Sequence, residues 1–174
     1  MERTIGTTRI WQGHTVSVRV DDVERADGRR TTRDVVEHPG AVAILAWDGE
    51  RVAMVRQWRH ATGQALLEIP AGTLEPGEPP ATTARRELAE EVGVAATTWV
   101  TGPRFYTAPG FCNELMHLFL ATDLREEHAD GDEDEELEVS WMTLDDAISA
   151  GEDGRIVDGK SLAGIAWLAR RLSR

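Results

Sequence analysis

The chain has a single cysteine, Cys112, in 174 residues. No intrachain disulfide can form, so the fold must rest on its core. No run of about 18 apolar residues occurs, which excludes a membrane-spanning helix. The first residues, MERTIGTTRIWQGH, carry no apolar signal core. These absences together lead us to expect a cytoplasmic protein. Basic residues are also few, with 19 Lys and Arg against 31 Asp and Glu and a formal net charge of −12. Nucleic-acid backbones call for basic surface, so they are not the expected partner, and neither is a membrane. The same charge repels free nucleotides, so any nucleotide site needs local reversal by cations or arginines. His38, His60 and His117 have no metal-type spacing with each other or with Cys112. They read as structural or surface residues.

What is present is ordinary for a globular protein, 41% hydrophobic and 29% charged. The length suits one domain with a real core. Against that background, Gly72 to Val94 stands out: GTLEPGEPPATTARRELAEEVGV. Pro79 and Pro80 suit a helix's first turn, where a missing N–H costs little. Gly93 suits its C-terminal cap. Between them Glu87 and Glu91, four apart, share a face, and Glu90 borders it. Ala81, Ala84, Leu88 and Val92 form the expected apolar stripe, with Glu87 and Glu91 at its rim. Arg86 and Glu90 are an i, i+4 pair able to orient one another.

Elsewhere, 15–23 and 31–38 read as a hairpin across ADGRR. AVAILAW and RVAMVRQW read as a second strand pair, and ALLEI as a short buried strand. ELMHLFLATDL and LEVSWMTL read as further strands. Thr143 with Asp146 opens a short helix. Ser161 is the expected cap of the last helix, with Leu162, Ile165, Leu168 or Ala169, and Leu172 as its stripe. The six tryptophans are scattered and most are expected in the core, with Trp11 or Trp58 able to approach a base. Strand alternation puts Arg56 and Trp58 on one face and Arg59 on the other. From Glu126 to Glu138, nine of thirteen residues are acidic. Most of these read as a solvated loop.

The stretch fits G-x(5)-E-x(7)-R-E-U-x-E-E-x-G-U, with U bulky and aliphatic, at Gly72, Glu78, Arg86, Glu87, Leu88, Glu90, Glu91, Gly93 and Val94. It resembles the box of the Nudix hydrolases, which cleave nucleoside diphosphates linked to another moiety. The resemblance implies an α/β fold, an α/β/α sandwich with a mixed sheet, over residues 39–174. Residues 1–38 form a small N-terminal antiparallel β module before it. It also implies a divalent cation, Mg2+ with Mn2+ or Zn2+ as alternatives, held by Glu87, Glu91 and the backbone carbonyl of Ala71. Magnesium is a hard cation that takes oxygen ligands, screens phosphate and activates water.

Flanking segments resemble the ADP-ribose pyrophosphatase subfamily. These are VRQWRHATGQALLEIPAG, Pro109 at 16 residues after Gly93, APGFCNE, and DEDEELEVSWM. Trp58, Cys112 and Asn113 depart from that group's usual Tyr, Thr and Asp. The resemblance implies hydrolysis of ADP-ribose to AMP and ribose 5-phosphate. The alternatives are another nucleotide sugar or dinucleotide (GDP-mannose, NADH, diadenosine polyphosphate), or a non-catalytic nucleotide-binding module. It points to Arg59 as a phosphate ligand, with Arg56 beside it, and to Glu114 in a substrate-facing loop. Glu133 matches the general base, with Glu90 and Glu136 as alternatives, and Glu135 an extra metal ligand. TRDVVEH places Arg33 near the other subunit's substrate in a homodimer.

Overall fold

The computed structural model describes residues 1–127, 129 and 137–173. Near the N-terminus, β1 (Glu2–Gln12), β2 (Ser17–Arg25) and β3 (Arg30–Glu37) form an antiparallel sheet in that order. The β2–β3 hairpin is the one read from sequence, and Gly28 at φ +78° makes its turn. β1 is a correction, because the expected two-stranded hairpin has a third strand. That strand is exposed nearly throughout, so it has no apolar alternation to reveal it. Backbone pairing with β2 and cross-strand ion pairs attach it, including Arg3–Glu24 at 2.9 Å and Arg9–Glu37 at 3.0 Å. Phe105–Leu115 groups with this sheet in one compact unit, Met1–Gly40 with Phe105–Leu115. Val36 N donates to Phe111 O at 2.7 Å, and His38 N to Asn113 Oδ1 at 2.8 Å.

The second unit is Ala41–Arg104 with Met116–Arg174. Its central strand β4 (Ala41–Ala46) is buried on both faces, as a continuous apolar run suggests. β5 (Arg51–Arg59), β6 (Gln64–Glu68), β7 (Ala71–Thr73), α1 (Pro80–Val92), β8 (Val94–Tyr106), β9 (Leu115–Glu126), β10 (Leu137–Thr143), α2 (Leu144–Glu152) and α3 (Gly159–Leu172) follow. One sheet runs β7-β4-β9-β8, with β4 parallel to β9 and antiparallel to β7. The other runs β10-β5-β6 and is antiparallel. Val42, Ile44 and Ala46 join Ala84 and Leu88 of α1 in one core cluster. Leu45 and Leu118 lie instead against Gly164 of α3. The mixed sheet therefore has α1 on one face and α3 on the other, the expected α/β/α layering. Among the described residues, no helix is long and apolar enough to cross a membrane.

Several local expectations change. Ala81 is exposed rather than part of the α1 stripe, while Thr83, Ala84, Leu88 and Glu91 are buried. The cap of α3 is Asp158, which accepts from Ser161 N, whereas Ser161 is itself buried. The buried face of α3 is Ser161, Gly164, Ile165 and Leu168, while Leu162 and Leu172 are exposed. Small residues let α3 approach the sheet closely, so the stripe rotates away from the bulky leucines. No tryptophan is fully buried, although Trp99 and Trp141 pack against the core cluster. Thr143 caps α2 as expected, accepting from Asp146 N at 3.2 Å.

Candidate active site

Everything at the site depends on α1 starting and stopping where it does. Pro79 is the N-cap with extended backbone, and Pro80 opens the helix with its φ already set. Glu78, just before it, accepts from Thr83 Oγ1 at 2.8 Å and from Arg86 Nη2 at 3.3 Å. Gly93 ends the helix at φ +73°, left-handed backbone that favours glycine.

Between these limits Glu87 and Glu91 sit on the link that carries Ala71 and Gly72. Glu91 is buried at 7% exposure, and its Oε2 accepts from Ala71 N at 3.0 Å. A Cβ on Gly72 would lie 1.9 Å from Glu87 Cδ, so the Glu87 carboxyl fills the space above that glycine. The glycine is there for close approach, not for turn geometry. Arg86 faces Glu87 Oε1 and Glu90 Oε2, each at 2.9 Å from Nη1, as well as Glu78. Its Nε is buried with no hydrogen-bond partner among the described residues. The predicted Arg86–Glu90 pair is thus present, within a larger cluster. Burial works against the charge on Arg86, but Glu78, Glu87 and Glu90 outweigh it and raise its pKa. The Thr83 hydroxyl, followed by Arg86, holds Glu78 below the usual carboxylate range despite some desolvation.

Of the other expected residues, Arg59 belongs to the same unit as the box. Its Nε and Nη2 fork onto Glu68 at 3.0 and 2.6 Å. Arg56 is exposed on the opposite face of β5, as alternation requires. Arg33 and Glu114 lie in the N-terminal unit. There Arg33 pairs with Glu2 at 2.5 Å, and Thr107 Oγ1 donates to Glu114 Oε2 at 2.5 Å. Glu133, Glu135 and Glu136 lie outside the described residues. Glu68 was not among the expected residues, and at 2% exposure it is the most buried carboxylate of the cluster around Arg59. Its signal was a lone Glu inside the apolar run ALLEI, since an unpaired buried carboxylate is rare.

Residues 37–163 match the family model for the NUDIX domain. The chain belongs to the Nudix family. It is 43% identical over 170 residues to a Bacillus subtilis (strain 168) protein named ADP-ribose pyrophosphatase, covering 96% of this chain and 92% of that protein. It is 42% identical, at the same coverage, to a Bacillus methanolicus protein named methanol dehydrogenase activator. A solved structure described as an ADP compounds hydrolase has the same fold, with a TM-score of 0.89 over 99% of this chain and 94% of that one, at 23% identity.

Nudix hydrolases generally work with a divalent cation. The residues here fit one chemically. Glu87, Glu90, Glu91 and the Ala71 carbonyl offer oxygen donors only, the set that Mg2+ prefers. Gly72 removes the side chain that would otherwise keep Glu87 away from this link. Among the described residues, no three His, Cys, Asp or Glu side chains are already drawn into a ligating cluster. Glu87 turns toward Arg86, and Glu91 toward the Ala71 amide.

Proposed function

We propose that this Nudix chain is a Mg2+-dependent hydrolase that cleaves ADP-ribose to AMP and ribose 5-phosphate. The observation that carries the reading is the seating of Glu87 and Glu91 on the Ala71–Gly72 link. The identity to the Bacillus subtilis ADP-ribose pyrophosphatase supports the choice of substrate.

Hydrolysis adds water across the P–O–P bridge. One phosphorus gains the hydroxyl, and the bridging oxygen leaves on the other phosphate. Glu87, Glu91 and the Ala71 carbonyl hold the cation, with Glu135 as a further ligand. When bound, Mg2+ screens the phosphate oxygens and acidifies water. Arg86 keeps the Glu87 and Glu90 carboxylates oriented through its two Nη1 contacts. Arg59, held on Glu68 through Nε and Nη2, is the phosphate ligand, with Arg56 near it in the strand. Glu133 accepts the proton of the attacking water, and Glu90 and Glu136 are the alternative acceptors. The assembly is a homodimer in which Arg33 completes the partner's site, and Glu114 faces substrate.

A hydrolysis screen with Mg2+ over ADP-ribose, GDP-mannose, NADH and diadenosine polyphosphates tests the reading. ADP-ribose should be cleaved fastest, with AMP as product. Faster cleavage of GDP-mannose, or a product other than AMP, overturns the substrate. A second reading, regulation of a partner enzyme, draws on the name of the Bacillus methanolicus relative. Activity toward a partner that survives loss of hydrolysis in Glu91→Gln would favour it.

A further inference from the structure

Lys160 is the only lysine in the chain, and the other eighteen of the 19 Lys and Arg are arginines. It sits in the first turn of α3 with 11% of its side chain exposed. Its Nζ donates to Glu68 Oε2 at 2.5 Å and to Asp158 Oδ2 at 3.0 Å. Glu68 Oε2 also accepts from Arg59 Nη2 at 2.6 Å, so one buried carboxylate oxygen takes hydrogens from two cations. Asp158 Oδ2 accepts from Ser161 N at 3.2 Å and caps the helix. Ser161 Oγ in turn accepts from Ile69 N at 2.8 Å, across 92 residues of sequence. A Cβ on Gly164 would lie 2.9 Å from Ile69 Cδ1, so the helix backbone presses on that residue. The opening of α3 thus grips Glu68 and Ile69, and only Pro70 separates them from Ala71.

Among the described residues, this network sets two cations against two carboxylates. Buried ion networks of this kind are weak contributors to stability, and apolar replacements often do as well. Its value lies in what it orients. An ammonium is a compact point charge with three rotatable donors, whereas a guanidinium is a rigid planar fork. At this nearly buried position the chain uses the ammonium, which serves two carboxylates in different directions.

We propose that Lys160 is a positioning residue for the hydrolytic site, acting through Glu68 on Arg59 and through the start of α3 on the link that carries Ala71. This rests on the proposed function, in which Arg59 takes substrate phosphate. Lys160 and Arg59 share Glu68 Oε2. Without Lys160, the Glu68 charge is shared with one cation fewer among the described residues, so Glu68 holds the Arg59 guanidinium more tightly and Arg59 yields less readily to a phosphate. Substrate binding is affected first, so KM rises more than kcat falls.

A double-mutant cycle between Lys160→Met and Glu68→Gln tests this, with kcat and KM read at saturating Mg2+ well below each variant's Tm. In the native background Lys160→Met should raise KM about tenfold; in the Glu68→Gln background, less than about twofold. Equal fold-changes in both backgrounds, or a lower Tm with unchanged KM, overturn the proposal. If Lys160→Met does not fold, Lys160→Gln, uncharged and of similar reach, runs the same cycle with the same expectation. The substrate is ADP-ribose. If the native chain leaves ADP-ribose intact, the proposed substrate falls, and the cycle is read on the nucleoside diphosphate sugar it does cleave. If it cleaves none, both fall.

Discussion

Glu91→Gln removes one formal charge from the carboxylate that sits on the Ala71 amide and changes little else. Glutamine keeps a carbonyl oxygen, so the acceptor for Ala71 N survives at the position now 3.0 Å away. The hydrogen bond passes from charge-assisted to neutral, a loss of about 1 kcal/mol. For a chain of this size that lowers Tm by roughly 2–4 °C, and the protein stays folded. The effect on chemistry is larger. Two unit charges about 4 Å apart in a partly buried site interact by roughly 4 kcal/mol, and a divalent ion feels the loss at least as strongly. At 1.36 kcal/mol per decade, about 4 kcal/mol is roughly a thousandfold in turnover. The assay follows AMP release from ADP-ribose across a Mg2+ titration, with a thermal melt in parallel. We expect a folded protein, a raised Mg2+ requirement, and a kcat that extra Mg2+ does not restore. Near-native turnover at saturating Mg2+ would remove Glu91 from the metal site.

Three further outcomes test the proposed roles. Gly72→Ala places a methyl where Glu87 Cδ now lies, at 1.9 Å, so the carboxyl must move; turnover should fall by about a hundredfold or more, with a modest Tm change, and an unchanged kcat would mean that Glu87 is not needed there. Glu133→Gln should lower kcat strongly while shifting the Mg2+ requirement less than Glu91→Gln does, and an unaltered pH–rate profile would move the base to Glu90 or Glu136. Co-refolding Arg33→Ala chains with Glu91→Gln chains should recover about a quarter to a half of native activity if sites are built across a two-fold axis. Inactive heterodimers, or a monomer at working concentration, refute the shared site.

Local chemistry was readable in the order of residues. A helix depends on contacts three and four positions apart, so the Pro-opened, Gly-closed α1 and its Arg86–Glu90 pair were legible before any fold was known. The Thr143–Asp146 cap of α2 was legible for the same reason, and β4 through its continuous apolar run, but the expected pairing of β4 with β5 is corrected, since the two strands lie in different sheets. β1 was not legible, because its polar faces leave no periodic signal and its partners are backbone groups on β2. The phase of α3 was not either. Bulky leucines outweigh Ser161 and Gly164 in any hydrophobic pattern, yet those small residues face the core because Ile69 comes so close. The site divides along the same line. Its carboxylates and its arginine are written into one stretch of sequence. That Glu87 covers Gly72, that Glu91 takes the Ala71 amide, and that Lys160 reaches Glu68 across 92 residues depend on chain segments meeting in space. Those meetings are set by the packing of α1 and α3 on opposite faces of one sheet, which no short-range rule contains.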